Sequence, residues 1–531
     1  MRGFYQKLSA ILSDIAVKDY GITLEPPFWE IPPRQEFGDL STAIALRMTA
    51  RLGRPPMDIA GELKTKLEAA LGQEAAKIDI LQPGFVNIFL SQAALADGLN
   101  DLMESGESFF SRNIPRKVLI EFCSANPTGP LSIAHGRQAV IGDTIANILK
   151  FFGNSVEKEY YVNDAGRQLD LLVVSVRERI KEIRGEQFSI PEDGYQGEYV
   201  KDIARAYLDS GNGSPIKPFV LTHALGLIKS SLSSLGIEYD LWTSQQKLID
   251  DGKVSGAMDL LKDRGMLFEQ DNALWFSSTK FGDDKDRVLR KGDGELTYFA
   301  SDIALHKDKI ERGHEKLIAL WGPDHHGYIP RVKAAIQALG YNQDIFEVLI
   351  IQLVSIKTKE RMSRRKGTAV LLSDLTEDVG KDAVRFYYLT RRNSSLLEFD
   401  IDLAKETSVN NPLYYIQYAC ARIESIFKKA EGLGIDPACS RFLASEDELR
   451  LLRTLLQCSY ALEKAYYSLE PVFIIEYLKN LAAAVHKFYE RCRVMGEDPN
   501  TAKARLNLLS ACRLAIHCAL RLLGITPVEK M

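Results

Sequence analysis

Cysteine is sparse and unpaired in this chain. Cys123, Cys420, Cys439, Cys458, Cys492, Cys512 and Cys518 are the only seven in 531 residues, and none stands in a Cys-x-x-Cys spacing. An odd, scattered set argues against a disulfide framework and against structural zinc, and points to reduced thiols in a cytoplasmic protein. Long uncharged apolar runs are missing too, so no segment is expected to span a bilayer. The first residues, MRGFYQKLSAILSDIAVKDYG, break their apolar pattern with Asp14, Lys18 and Asp19, which reads as an amphipathic helix rather than a signal peptide. Nor does one charge dominate: 67 Lys and Arg face 71 Asp and Glu, net −4. The balance is uneven, however. Residues 408–531 hold 16 basic and 13 acidic residues, against 51 and 58 in the remainder, a local excess that permits RNA contact without demonstrating it. With 46% hydrophobic and 26% charged residues, an ordered soluble chain is expected, too long for one core and suited to about three domains.

What is present is organised around residues 116–153, RKVLIEFCSANPTGPLSIAHGRQAVIGDTIANILKFFG. VLIEF is a run of strand formers, and Asn126, Pro127, Gly129 and Pro130 supply turn chemistry that neither strand nor helix tolerates. From Ile133 the apolar residues recur at helical spacing, and Gly153 stands where a helix stop belongs. A strand feeding a tight turn into a helix N-terminus suits an anion such as phosphate, because unpaired N–H groups and the positive dipole end converge there. His135 in the first turn would add a proton-donating or cationic group to the same place.

Ahead of this unit, the segment from Ser41 predicts a helix. IDILQPGFVNIFLS predicts two strands broken at Pro83-Gly84, with one of Phe85 and Asn87 expected to face solvent. Behind it, EKEYYVNDAGRQLDLLVVSVRERI predicts a strand and helix with an N-cap at Asn163 or Asp164. Residues 185–285 are looser, read as an insertion without chemistry of its own. Tyr298 and Asp302, spaced i,i+4, place a phenol and a carboxylate on one helix face. KLIALWGPDHHGYIPR is an apolar strand ending at Asp324, a residue placed to bond a ribose; adjacent His325 and His326 rarely chelate one ion together, so no metal site is expected. The strand EVLIIQLVSI leads to a basic segment, Lys357 to Gly367, suited to neutralising a polyphosphate. The last 120 or so residues read as a helical bundle broken at Pro471 and Gly496, with Tyr414, Tyr415, Tyr418 and Arg422 interleaving aromatic and basic groups.

PTGPLSIAHGR, GPDHHG and RMSRRKG, in that order along the chain on a split sheet domain, resemble a class I aminoacyl-tRNA synthetase, and EFCSANPTGPL, YYVNDAGRQ, TYFASDIALHKDK, WGPDHHGYIPR, DAVRFYYL and LYYIQYACARI resemble the arginyl-tRNA synthetase family. EFGDLSTAIALRMTARLG and PGFVNIFLS are similar to that family's extra N-terminal domain. The resemblance implies an α/β fold: a split Rossmann-like parallel sheet in a catalytic domain over 109–407, a small α+β domain over 1–108 that meets the tRNA elbow, and an all-α bundle over 408–531 that binds the anticodon. It implies that L-arginine is activated by ATP, with Mg²⁺, to an adenylate and passed to the terminal ribose of tRNA(Arg), with tRNA commonly completing the site. A monomer is expected. Glu121, Ser124, Asn126, Tyr298, Asp302 and His326 would hold arginine. Pro127, Gly129, Ala134, His135, Gly322, Asp324, His325 and Arg364 would face ATP, and Phe85, Asn87, Tyr418 and Arg422 would meet tRNA.

Two signatures depart from the family pattern. Where it reads His-x-Gly-His, this chain has Ser132, Ile133, Ala134 and His135; where it reads Lys-Met-Ser-Lys, it has Arg361, Met362, Ser363 and Arg364. Ser132, His135, Arg361, Met362, Ser363 and Arg364 are the expected catalytic set, with Lys357 or Lys359 a candidate for the missing ammonium. The alternative that the departures raise is a non-catalytic tRNA-binding paralogue.

Overall fold

The computed structural model describes residues 4–26, 28–211, 213–357 and 370–528. The chain forms two compact units, Met1–Ile114 with Leu403–Met531, and Pro115–Asp402. The first unit thus takes both ends of the chain. Its N-terminal part holds a three-stranded antiparallel sheet in the order β1 (Leu40–Thr42), β3 (Phe85–Leu90), β2 (Ala75–Leu81). The Pro83-Gly84 break is a hairpin between β2 and β3. Ser41 and Thr42 belong to β1, so the helix predicted from Ser41 starts later, at Ile44.

The C-terminal part is helical, with Pro412–Lys429, Glu446–Leu456, Cys458–Ser468, Val472–Arg491 and Pro499–Leu522 as its main helices. Pro471 is the N-cap of one and Gly496 lies between the last two. Distant parts of the sequence are tied together inside this unit by Arg453–Asp39 at 2.8 Å, Arg112–Glu463 at 2.5 Å and a Gln92 Nε2 donation to the Leu443 carbonyl at 2.7 Å.

The second unit is built on a five-stranded sheet, all parallel, from β4 (Lys117–Glu121), β5 (Ser155–Val162), β6 (Leu241–Ser244), β10 (Lys316–Trp321) and β11 (Phe346–Ile350). Their order is β11-β10-β4-β5-β6. The chain runs outward from β4 on one side and returns to β10 on the other, so the direction of winding switches between β4 and β10. In such sheets the crevice at the strands' carboxyl ends at that switch is the binding place. The predicted strand-turn-helix is β4, the Asn126–Pro130 turn and the helix Ile133–Phe151, with Gly153 at φ +87 just beyond its end. Gly142 lets this helix lie on the sheet: a Cβ there would sit 2.2 Å from the Phe122 ring.

Two sequence readings change here. Residues 185–285 are not merely an insertion, because β6 completes the parallel sheet from within them. Three helices (Arg167–Ile183, Glu198–Asp209, Ile216–Ser234) pack together before it, and an antiparallel sheet of β7 (Leu267–Gln270), β8 (Ala273–Phe276) and β9 (Arg287–Arg290) follows. EVLIIQLVSI is not one strand but two. It supplies β11 to the main sheet and β12 (Val354–Lys357) to a parallel pair with β13 (Leu397–Asp400).

Candidate active site

A cavity of about 530 Å³ lies at the switch point. Its walls include Glu121 at the end of β4, His135 on the following helix, Tyr298 and Asp302 on the helix Tyr298–Glu311, and Gly322, Asp324 and His325 just after β10. Ser124 and Asn126 also line it. Each arrives for a local reason. Cys123, fully buried, takes φ +56, a left-handed conformation unfavourable for a side-chain-bearing residue, and turns the chain off the strand. The turned segment is held from β5: Tyr160 OH donates to the Ala125 carbonyl at 2.9 Å, Tyr161 N–H to Ser124 Oγ at 3.1 Å, and Asn163 Nδ2 to Asn126 Oδ1 at 3.1 Å.

At the N-terminus of the Ile133–Phe151 helix, two of the N–H groups expected to meet phosphate are already used. Ser132 N–H donates to His135 Nδ1 at 3.2 Å, and Ile133 N–H to the Val370 carbonyl at 3.2 Å. Ser132 Oγ also lies 3.1 Å from His135 Nδ1. Nδ1 accepting a backbone N–H leaves the imidazole proton on Nε2, and burial holds the ring's pKa below its usual value. His135 is therefore a neutral donor rather than a cation. Ser132, expected to face phosphate itself, instead positions His135 and is not part of the cavity wall. Farther along the helix, fully buried Arg137 donates to the carbonyls of Gln352, Arg392 and Ser395 at 2.8 to 2.9 Å, fastening the β12–β13 stem to this helix.

The carboxylates form the electrostatic core. Glu121 and Glu159 are register partners on β4 and β5, like charges side by side. Lys309, 2% exposed, bonds Glu121 Oε2 and lies 3.4 Å from Glu159, whose other oxygen takes Arg312 at 2.9 Å. Glu121, expected to hold a substrate cation, thus already spends one oxygen on Lys309. Asp302 accepts from Tyr328 OH. Burial, opposed by that hydrogen bond and reinforced by the charge on Glu121, raises its pKa to about 6. Tyr298 shares its helix face at the rim, 54% exposed, with its hydroxyl 2.9 Å from where a Cβ on Gly166 would lie.

Other predicted residues fall elsewhere. Pro127, Gly129, Ala134 and His326 are not on the cavity wall. Gly129 instead admits the Tyr199 ring, which would lie 2.8 Å from an added Cβ and whose hydroxyl donates to the Thr128 carbonyl at 2.7 Å. Asp164 does not cap the helix that follows it. It accepts from Ser244 Oγ at 2.6 Å and Gln246 N–H at 2.9 Å, tying β5 to the end of β6. Lys357 pairs with Asp400 at 2.9 Å across β12–β13, so its ammonium is engaged there. Lys359, Arg361, Met362, Ser363 and Arg364 lie outside the described residues. Sequence reasoning missed Gln138, Tyr161, Gln245, His306, Trp321 and Tyr328 on the wall. Tyr161, His306, Trp321 and Tyr328 stand within the YYVNDAGRQ, TYFASDIALHKDK and WGPDHHGYIPR blocks, whereas Gln138 and Gln245 stand in none of them.

In the other unit, Asn87 is 4% exposed and accepts from Ser41 Oγ at 2.6 Å. It is buried against β1, and half-buried Phe85 is the more accessible member of that pair. The Arg422 guanidinium lies between the Tyr418 and Tyr489 rings, 4.5 and 4.6 Å from their centroids, and meets His486 Nδ1 at 3.0 Å.

The parallel sheet, the switch-point cavity and the helix start that carries His135 define a class I aminoacyl-tRNA synthetase. The family described as "tRNA synthetases class I (R), catalytic domain" matches residues 100–400, "Arginyl tRNA synthetase N terminal domain" matches 4–90 and "DALR anticodon binding domain" matches 416–531. The chain is 41% identical over 552 aligned residues to an arginine–tRNA ligase of Nitratidesulfovibrio vulgaris, covering 99% of each, and 40% identical to that of Bacillus subtilis, covering 94% of each. A solved arginyl-tRNA synthetase structure from Thermus thermophilus has the same fold at a TM-score of 0.82 and 21% identity, covering 99% of this chain and 100% of that one. The chain belongs to the arginine–tRNA ligase family, and it is an enzyme of that type.

Proposed function

We propose that this cavity binds L-arginine between Glu121 and Asp302, and ATP across the His135 helix start and the Gly322–His325 turn. The observation that carries the reading is a pair of carboxylates inside one cavity at the switch point, beside the helix that presents a neutral His135. A planar guanidinium makes several directed hydrogen bonds that an ammonium does not reproduce, so this arrangement selects arginine over lysine. In the first step the arginine carboxylate attacks the α-phosphorus of ATP. A new P–O bond forms, and pyrophosphate departs with the bonding electron pair. His135 Nε2–H is placed to donate to a phosphate oxygen as charge builds there. In the second step a terminal ribose hydroxyl of tRNA(Arg) attacks the activated carbonyl; the ester C–O bond forms, the bond from the carbonyl carbon to the phosphate oxygen breaks, and AMP leaves with that electron pair, its phosphate taking up the hydroxyl proton.

Asp324, exposed at the strand end, is the candidate ribose contact. Mg²⁺ would enter with the phosphates of ATP, which supply it with oxygen ligands. Phe85 and the Tyr418–Arg422 surface are the candidate tRNA contacts. A cytoplasmic monomer is the proposed working form; among the described residues no helix is long and apolar enough to cross a membrane. Charging of tRNA with labelled arginine tests the reading. Arginine esterified to tRNA(Arg) in the presence of ATP is expected, and no charging despite measurable tRNA binding would overturn it.

A further inference from the structure

Two residues of the cavity wall, Gln245 and His306, each carry a buried acceptor atom with no partner among the described residues; Gln245 belongs to no block that led to the site, and His306 stands in TYFASDIALHKDK without an assigned role. Gln245 opens the short helix Gln245–Asp250 directly after β6. Its Nε2 donates to Ser301 Oγ at 3.2 Å, while its Oε1 is buried and unpaired. His306 lies one helical turn beyond Asp302, with Nδ1 2.8 Å from the Asp302 carbonyl. A carbonyl only accepts, so Nδ1 carries the proton and Nε2 offers a lone pair, also buried and unpaired. The two residues are 5% and 4% exposed. Phe346 meets the His306 ring edge-on at 4.8 Å, which fixes its plane. Burial and the nearby Lys309 ammonium push the His306 pKa down to about 3, so at neutral pH Nε2 remains an acceptor.

Buried acceptors are nearly always paired with protein, water or ligand. Here they share a cavity with two carboxylates that are each half spent: Lys309 takes Glu121 Oε2, and Tyr328 takes Asp302 Oδ2. A guanidinium brings five N–H donors in one plane, more than the remaining carboxylate oxygens serve. We propose that Gln245 and His306 are specificity-determining residues of the arginine pocket, each accepting a guanidinium N–H that Glu121 and Asp302 leave unserved. The inference rests on the reading of this cavity as the arginine pocket.

Arginine-dependent ATP–pyrophosphate exchange in the presence of tRNA tests it on the full-length enzyme. Gln245→Met and His306→Phe keep approximate shape and remove the acceptor. Each is expected to raise the KM for arginine about tenfold or more, with the KM for ATP within about twofold of the parent. Gln245→Glu, which keeps an acceptor, is expected to restore the arginine KM; a purely structural role would not give that selective rescue. An unchanged arginine KM in both acceptor-less variants, while Asp302→Asn raises it, overturns the inference and leaves the pocket reading standing. An unchanged arginine KM in Asp302→Asn as well overturns the pocket reading, and this inference with it.

Discussion

Asp302 shows how burial sets chemistry at one residue. Its carboxyl is held near pH 6 by desolvation, and only the ionised form attracts a guanidinium strongly. As pH falls through about 6 the group takes up a proton, so the arginine KM is expected to rise, by up to about tenfold per pH unit below that value. Above about pH 7 it should be flat. Steady-state kinetics between pH 5 and 8 check this, and Asp302→Asn should raise the KM and abolish that inflection. His135 makes the complementary case. It is neutral by burial and acts as a donor, so His135→Ala is expected to lower kcat for adenylate formation about 10²-fold, with a smaller effect on the arginine KM. Single-turnover adenylate formation measures it. The Tyr298–Asp302 pair was legible from i,i+4 spacing because both side chains leave one helix face toward the same place. Gln245 was not: a Gln after four strand residues in a loose stretch carries no local mark of the cavity it lines, and His306, though inside the TYFASDIALHKDK block, stands on a largely buried helix with nothing in its spacing to assign it a role.

At the scale of elements, the strand-turn-helix from Lys117 to Phe151 is where local chemistry and tertiary structure agree. Its glycines are not equivalent. An added Cβ at Gly142 would meet the Phe122 ring at 2.2 Å, whereas one at Gly136 would meet the Leu372 Cδ1 methyl at 2.4 Å. A side-chain end yields more readily than a buried ring rooted at the cavity strand. Gly142→Ala is therefore expected to destabilise the enzyme by about 1–3 kcal/mol or more, and Gly136→Ala by less. Denaturant melts of the two variants, followed by intrinsic fluorescence, rank them. Where the sequence misled, pairing was the reason. EVLIIQLVSI is uniformly strand-forming, and nothing in it says that Ile350 ends one sheet and Val354 begins another. LWTS is too short to stand out, yet it closes the edge of the main sheet as β6. Asp164 had the chemistry of a cap, but the helix it serves begins at Gln245, beyond any local window.

For the whole molecule, the division of the chain is non-local. Residues at the N-terminus and in the C-terminal bundle share one unit, through pairs such as Asp39–Arg453 and Arg112–Glu463 that no reading of separate windows reveals. Glu463 is buried enough that its pKa rises to about 7 even beside Arg112. A chain truncated to residues 115–531 loses Arg112 and bares the face of Leu456 that packs against Gly98. It is expected to unfold at lower denaturant than the full chain, with the bundle's helical signal lost first; circular dichroism with a proteolysis time course checks it. The catalytic unit's identity, by contrast, was carried in the sequence by ordered blocks, because residues that converge on one cavity from β4, the Tyr298–Glu311 helix and β10 each sit in a short, chemically marked segment.

The central claim is that this cavity activates arginine, despite Ser132, Ala134, Arg361 and Arg364 standing where the family pattern has other residues. ATP–pyrophosphate exchange tests it most directly, run with arginine or lysine, and with or without tRNA bearing an arginine anticodon. Exchange with arginine and tRNA, little without tRNA and none with lysine is the predicted result. No exchange with arginine while tRNA binds, or equal exchange with lysine, would contradict it.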